Sequence, residues 1–235
     1  MVQIYPGVTI PPGVTIGSPP PPPPPAGLML SLDAAGYTSG PWVDTVSGLS
    51  FTLYNGVSYS SDGGGSLQFS HISNQYAEST TSLPSLNTWT VEAWHYYSGY
   101  RGSSPCIVTE VYEGFSINYA LGALTSNAPN LQSGFYNGDW RTSPAGYTLT
   151  TGAWYQIVGT YDGFTNKLYV NNTLINQASY TYAPVSDGHG IRLMRRWDLQ
   201  NFWGGKLAIV KIFSGALSQE EVTASWDANK ARFGL

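Results

Sequence analysis

Three kinds of side-chain chemistry can be sought in this chain: paired carboxyls, imidazole bases, and aromatic loops that hold a sugar. Glu110 and Glu113 are three residues apart in a β-like stretch, which on a strand points them to opposite faces. Retaining glycoside hydrolysis instead needs two carboxyls about 5–5.5 Å apart across one bond. Glu92 stands alone in its stretch, and His71, His95 and His189 are isolated, with no convincing Ser-His-Asp order. The chain therefore reads as non-enzymatic. Metal ligation needs a cluster of oxygen or imidazole donors, and only the loop Asp187-Gly188-His189-Gly190 offers two. Two loops have the composition of sugar sites, in which rings stack on the sugar and Asn, Asp and Arg bond its hydroxyls. They are Tyr136-Asn137-Gly138-Asp139-Trp140-Arg141 and Arg195-Arg196-Trp197-Asp198. Tyr136, Asp139, Trp140, Arg141, Arg196, Trp197 and Asp198 are the candidate glycan-binding residues. The competing reading is that both tryptophans cap the core or lie in an interface, since interfaces also favour Trp, Tyr and Arg.

These loops need a rigid frame, and the sequence reads as strands. Trp154–Tyr161 and Lys167–Val170 flank Asp162-Gly163, and Asn171-Asn172 leads into Thr173-Leu174-Ile175. Gly and Asn accept positive φ cheaply, so three antiparallel strands are expected. Trp154, Val158, Leu168 and Val170 are expected in the core, with Asp162 shaping its turn. In Trp89–Tyr97 the residues alternate: Trp89, Val91, Ala93, His95 and Tyr97 share one face, and Thr90, Glu92, Trp94 and Tyr96 the other. Shorter strands are expected over 28–32, 51–54, 66–69, 75–78, 107–111, 115–119, 131–136, 191–194 and 207–213, about a dozen in all. One helix is expected after Ser218, which with Glu221 makes a capping box. Val222 and Trp226 give that helix an apolar face.

Composition narrows the function classes. Of 235 residues only 10% are charged and 14% are aromatic, with a net charge of −4. A nucleic-acid binder would carry a basic face, and the cluster Arg192, Arg195, Arg196 is too small to make one. No apolar run approaches the ~18 residues that span a membrane. No positive charge precedes an apolar core near the N-terminus, so a secretory signal is not expected. Cys106 is the sole cysteine, which reads as a small buried hydrophobe.

Residues 1–26 differ from the rest. They hold no Asp, Glu, Lys or Arg, repeat Pro6-Gly7-Val8-Thr9-Ile10 as Pro12-Gly13-Val14-Thr15-Ile16, and end in the unbroken run Pro19 to Pro25. That run reads as a polyproline II spacer of roughly 20 Å at about 3.1 Å per residue. Ile4, Val8, Ile10, Val14 and Ile16 would give the arm apolar contacts, and its extended pieces suit addition to a neighbour's sheet edge.

With these stretches in hand, residues 27–235 resemble the laminin G-like jelly-roll family of the concanavalin A-like lectin/glucanase superfamily. The resemblance lies in Leu32-Asp33-Ala34-Ala35 with Trp42-Val43-Asp44 and Ser47-Gly48, in Gly65–Phe69, in Trp89–Trp94, in the hairpin 154–172, and in Gly205–Leu217 with Ser218–Val222. It implies an all-β, two-sheet antiparallel sandwich serving as a surface module, of a kind familiar in tailed-phage virion proteins and in adhesins. Calcium is the metal it suggests, although Ala208-Ile209 stands where the family often has an acidic pair in its last strand. The expected function is a structural virion protein, of the capsid-decoration or tail-fibre type. The arm would dock on other virion proteins and the sandwich would contact host glycans at the virion surface. A homo-oligomer is expected, with a trimer favoured by the resemblance. The alternative is an extracellular carbohydrate-binding adhesin.

Overall fold

The computed structural model describes residues 27–111, 116–125, 128–196 and 200–235. The arm, with Ile4, Val8, Ile10, Val14 and Ile16, lies outside them. The described residues form sixteen strands. In chain order they are β1 (Leu28–Asp33), β2 (Trp42–Val43), β3 (Ser50–Tyr54), β4 (Ser58–Ser60), β5 (Ser66–Phe69), β6 (Tyr76–Ser79), β7 (Trp89–Arg101) and β8 (Cys106–Glu110). After these come β9 (Ser116–Gly122), β10 (Gln132–Asn137), β11 (Trp140–Thr142), β12 (Ala153–Tyr161), β13 (Thr165–Val170), β14 (Thr173–Ser179), β15 (Ile191–Leu193) and β16 (Phe202–Phe213). The helix α1 (Gln219–Asn229) follows, capped by the Ser218–Glu221 box, and one 3-10 turn, Lys230–Phe233, extends it. Among the described residues no helix is long and apolar enough to cross a membrane.

The strands form two antiparallel sheets. The first runs β14-β13-β12-β7-β16-β5-β4, with β1 also on β16, and the second runs β11-β10-β9-β8-β15-β6-β3-β2. The expected two-sheet sandwich is therefore present, and the central hairpin has the expected three strands. Asn171 and Asn172 take φ of 49° and 64°, the left-handed values their turn requires. Asp162 Oδ1 accepts from the amides of Phe164 (2.9 Å) and Thr165 (2.6 Å), so it shapes its turn. The strands beyond the expected dozen are mostly short edge pieces, such as Trp42–Val43 and Ser58–Ser60. With two or three residues they show no periodicity.

Between the sheets lies one apolar core. It holds Trp89, Val91, Ala93, Tyr97, Leu168 and Val170, among others. Val158 is buried, as expected, and Trp154 partly so, but both pack on the outer face of the first sheet rather than between the sheets, because alternation along β12 sends Tyr155, Ile157 and Tyr161 inward. That outer face is covered by α1 and the turn after it. Val158 packs with Phe213, Leu217 and Val222, while Trp94 stacks on Phe233 at 4.6 Å and Trp226 at 5.6 Å. Cys106 is buried, as expected.

Glu92 and His95 are among the polar groups buried in these layers. Glu92, fully buried, accepts from Trp94 Nε1 (2.8 Å), Gln156 Nε2 (3.0 Å) and Ser225 Oγ (2.7 Å). It thus ties β7, β12 and α1 together. His95 lies on the inner face; its Nε2 accepts from Trp203 Nε1 (2.8 Å), which leaves Nδ1 to donate to the Lys206 carbonyl (3.1 Å). Burial lowers its pKa to about 3.

Two outcomes follow from this interior. Glu92→Ala leaves buried donors on Trp94 and Gln156 without an acceptor, and should lower unfolding stability by about 3 kcal/mol in urea titrations; a loss under about 1 kcal/mol would show that the carboxyl does not tie the layers. For His95, the unfolded chain takes up a proton near pH 6.5 that the folded chain refuses until about pH 3. Its contribution is therefore whole above pH 6.5 and falls as pH drops, at up to about 1.4 kcal/mol per pH unit. Urea midpoints of His95→Gln should accordingly change less between pH 6.5 and 4 than those of the native chain, and a parallel decline would contradict the assignment.

Candidate glycan-binding surface

The hairpin around Gly138 and the described start of the second loop, Arg195 and Arg196, lie at opposite ends of the sandwich. From β10 through β9 and β8 to β15 each neighbour is antiparallel. β10 and β15 therefore run in opposite directions, and the residues that follow them emerge at opposite ends.

The first loop is a tight hairpin rather than an open loop. Trp140 and Arg141 belong to β11, with Tyr136 paired to Trp140 and Phe135 to Arg141. Asn137-Gly138-Asp139 closes the turn, where Gly138 takes φ of 73° and the Asn137 amide donates to the Asp139 carbonyl (3.2 Å). Three-residue hairpins favour a glycine in that conformation. Trp140 and Tyr136 meet edge to face at 5.6 Å and rest on a small apolar cluster of Cys106, Ile117, Ala120 and Leu124. Both rings are half-buried. The capping role weighed for Trp140 is thus real, and it also fixes the direction in which the ring presents its open side.

Arg141 is the centre of this surface. Its Nη1 donates to Asp139 Oδ2 (2.8 Å) and its guanidinium lies 4.2 Å over the Tyr182 ring. Asp139 also accepts from the Trp140 amide (2.8 Å), and the Arg141 bond holds its carboxyl below the usual range. Asn137 Nδ2 donates to the Ala183 carbonyl (3.1 Å), locking the hairpin to the segment that carries Tyr182. Tyr182 is 50% exposed. Sequence reasoning missed it, because forty residues separate it from the hairpin and no local pattern marks it. Its recurring Tyr spacing, Tyr180 and Tyr182, was the only signal; Tyr180 Oη donates to the Thr142 carbonyl (2.6 Å) and so braces β11 as well.

The second loop is described only in part. Arg195, 2% exposed, is buried between the rings of Tyr76 (4.4 Å) and Phe202 (5.7 Å). It is a strut at the far end of the sandwich. Arg196 continues the chain there and its amide donates to the Asn201 carbonyl (3.0 Å). Trp197 and Asp198 lie outside the described residues.

Glu110 and Glu92, two of the carboxyls considered for hydrolysis, lie in different sheets. Glu110 is buried at the hairpin end of β8, accepting from Ser82 Oγ (2.5 Å), Ser186 Oγ (2.8 Å) and the Asn118 amide (2.6 Å). Burial raises its pKa, and Glu113 lies outside the described residues. Glu92 is sealed beneath α1 in the other sheet. Among the described residues no group of three or more His, Cys, Asp or Glu side chains could hold a metal ion, so the calcium expectation finds no donor set there. Asp187 Oδ1 accepts from the His189 amide (3.4 Å) within its own loop. Ala208 and Ile209, in place of an acidic pair, pack under the C-terminal turn.

The model of a laminin G family, described as the concanavalin A-like lectin/glucanases superfamily, matches residues 69–223. No curated protein matches the chain in sequence. Among solved structures it is similar to domain 4 of a GH43 extracellular arabinanase from Geobacillus stearothermophilus, solved in complex with arabinotriose. That likeness has a TM-score of 0.69 at 14% identity and covers 84% of this chain and 97% of that one. It is also similar to the binding domain of botulinum neurotoxin DC in complex with SialylT (TM-score 0.65, 12% identity, 86% of this chain and 52% of that one). A Trypanosoma rangeli sialidase gives a TM-score of 0.65 at 14% identity, with 89% of this chain and 34% of that one covered. The chain thus spans about half of the toxin domain and a third of the sialidase, and at these identities the likeness speaks for the fold. Two packed antiparallel sheets and a family match over two thirds of the sequence give one conclusion: the chain belongs to the laminin G branch of the concanavalin A-like lectin/glucanases superfamily.

Proposed function

We propose that this domain is a non-catalytic carbohydrate-binding module whose site is the surface formed by Asp139, Trp140, Arg141 and Tyr182. The observation that carries the reading is the fixed arrangement of Arg141 between a carboxylate and an aromatic ring, beside the half-open ring of Trp140. Sugar recognition requires aromatic faces for the C–H side of a ring and charged or amide groups for its hydroxyls. A hairpin holds these groups more firmly than a free loop, which lowers the ordering cost on binding. The similar arabinanase domain, solved with arabinotriose and matched over nearly its whole length, supports a sugar of that size as a first ligand to try.

Anchoring to a virion through residues 1–26, with the sandwich displayed at its surface in a homo-oligomer, is the second reading. It is compatible with the first and rests on the charge-free repeats and the run Pro19 to Pro25. Deletion of residues 1–26 should leave a folded sandwich that no longer enters particles; normal incorporation of the truncated chain would sink that reading.

The first reading is tested by a glycan array followed by calorimetry with arabinotriose and a sialylated trisaccharide. Tyr182→Ala, at a half-exposed position, should weaken binding at least tenfold while leaving unfolding stability within about 0.5 kcal/mol of the native value. Trp140→Ala should weaken it similarly. If the native chain binds no glycan on the array, the proposal is wrong.

A further inference from the structure

A second feature stands at the other end of the molecule. A cavity of about 370 Å³ opens on the outer face of the first sheet, lined by Gln68, His71, Tyr96, Ser98 and Lys206 over a floor that includes Phe69. Alternation along β7 explains why it is there. Trp94, Tyr96 and Ser98 share the outer face, but Phe233 covers Trp94 and Trp154 and does not line the cavity. Beyond the reach of the C-terminal turn the outer face is left open.

The imidazole of His71 is the group to explain. It lies on a stretch of sheet without side chains, where Gly99 and Gly204 come together. A Cβ on Gly99 would stand 2.8 Å from His71 Cε1, and one on Gly204 would stand 2.2 Å from Nδ1. The ring is therefore seated by shape. Among the described residues neither of its nitrogens has a hydrogen-bond partner. Partial burial lowers its pKa, so at neutral pH the ring is uncharged, with one nitrogen donating and the other accepting.

The remaining lining groups define what would fit. Gln68 supplies an amide and Ser98 a hydroxyl. Lys206 supplies an ammonium whose charge is already answered by Asp62 and which lies 4.9 Å over the Tyr96 ring. The cavity thus has several convergent donors and acceptors and little net charge, which disfavours an anion. Its lining is polar and apolar in about equal measure, which suits a ring with hydroxyls on one side and C–H groups on the other. Ile72 stands at the mouth, 78% exposed, and gives an apolar contact for the C–H face of a ring. A volume of this size lies in the range of small-ligand sites.

We propose that this cavity is a second, independent carbohydrate subsite that takes one neutral sugar ring, its hydroxyls bonded to His71, Gln68, Ser98 and Lys206. It does not rest on the hairpin surface, from which it is separated by the length of the strands.

The test is a titration of the full chain with L-arabinose, D-galactose and D-glucose in turn, followed by the His71 Cε1–H resonance and the Ser98 amide. At least one sugar should move both saturably, with a dissociation constant on the order of millimolar, as befits a ligand of a dozen heavy atoms. Tyr182→Ala should leave this titration unchanged, which separates it from the hairpin site. His71→Ala, in a partly exposed loop, should weaken it at least tenfold, read at Ser98. Gly204→Ala should do the same by unseating the ring, with circular dichroism confirming the fold; should that variant fail to fold, His71→Ala and Gln68→Ala carry the test. The proposal is overturned if none of the three sugars gives a saturable shift, if inorganic sulfate shifts His71 where the sugars do not, or if the sugar response survives His71→Ala.

Discussion

The constraint on which the rest depends is the cover over the outer face of the first sheet. A sandwich needs only its inner faces buried, and the outer face of β7 and β12 carries Trp94, Trp154 and Val158, which water would not accommodate cheaply. Helix α1 and the turn ending at Phe233 bury them. Glu92 sets where that cover lands, because its carboxyl accepts at once from Trp94, Gln156 and Ser225. A buried carboxyl with several directed bonds fixes a unique register in a way that apolar packing alone does not. The same cover, by stopping short of Tyr96 and Ser98, leaves a stretch of that face where a cavity forms.

Much of this was legible in the sequence. Period-two alternation in Trp89–Tyr97 separated the two faces of β7 correctly, and the positive-φ residues Asn171 and Asn172 marked the tight turn. The Ser218–Glu221 box marked the helix start because it is a local signal, complete within four residues. Val158 is buried and Trp154 partly so, but on the outer face, for a physical reason. Alternation tells which residues share a face and not which face is inner, and here both faces of β12 are buried.

The candidate surface was half legible. Aromatic and charged residues around Gly138 drew attention to the hairpin, since its composition is local. Tyr182 was not visible, as its contact with Arg141 depends on how β14 returns beside β11. Arg195 was misleading in the other direction: a guanidinium in a polar-looking loop is buried between Tyr76 and Phe202. Sequence shows what a residue could bind; only the packing shows whether its functional group is already engaged. His71 makes the same point, since its place is set by the absence of side chains at Gly99 and Gly204, two positions remote in sequence.

The account's central claim is that sugar is bound at the hairpin end of the sandwich, on groups held rigid by β10, β11 and the Tyr182 segment. Mapping amide shift changes on adding arabinotriose, or a sialylated trisaccharide, tests that claim most directly. The account predicts perturbations concentrated at residues 137–141 and 180–183. Perturbations absent from those residues, with the glycans nevertheless bound elsewhere or not bound at all, would contradict it.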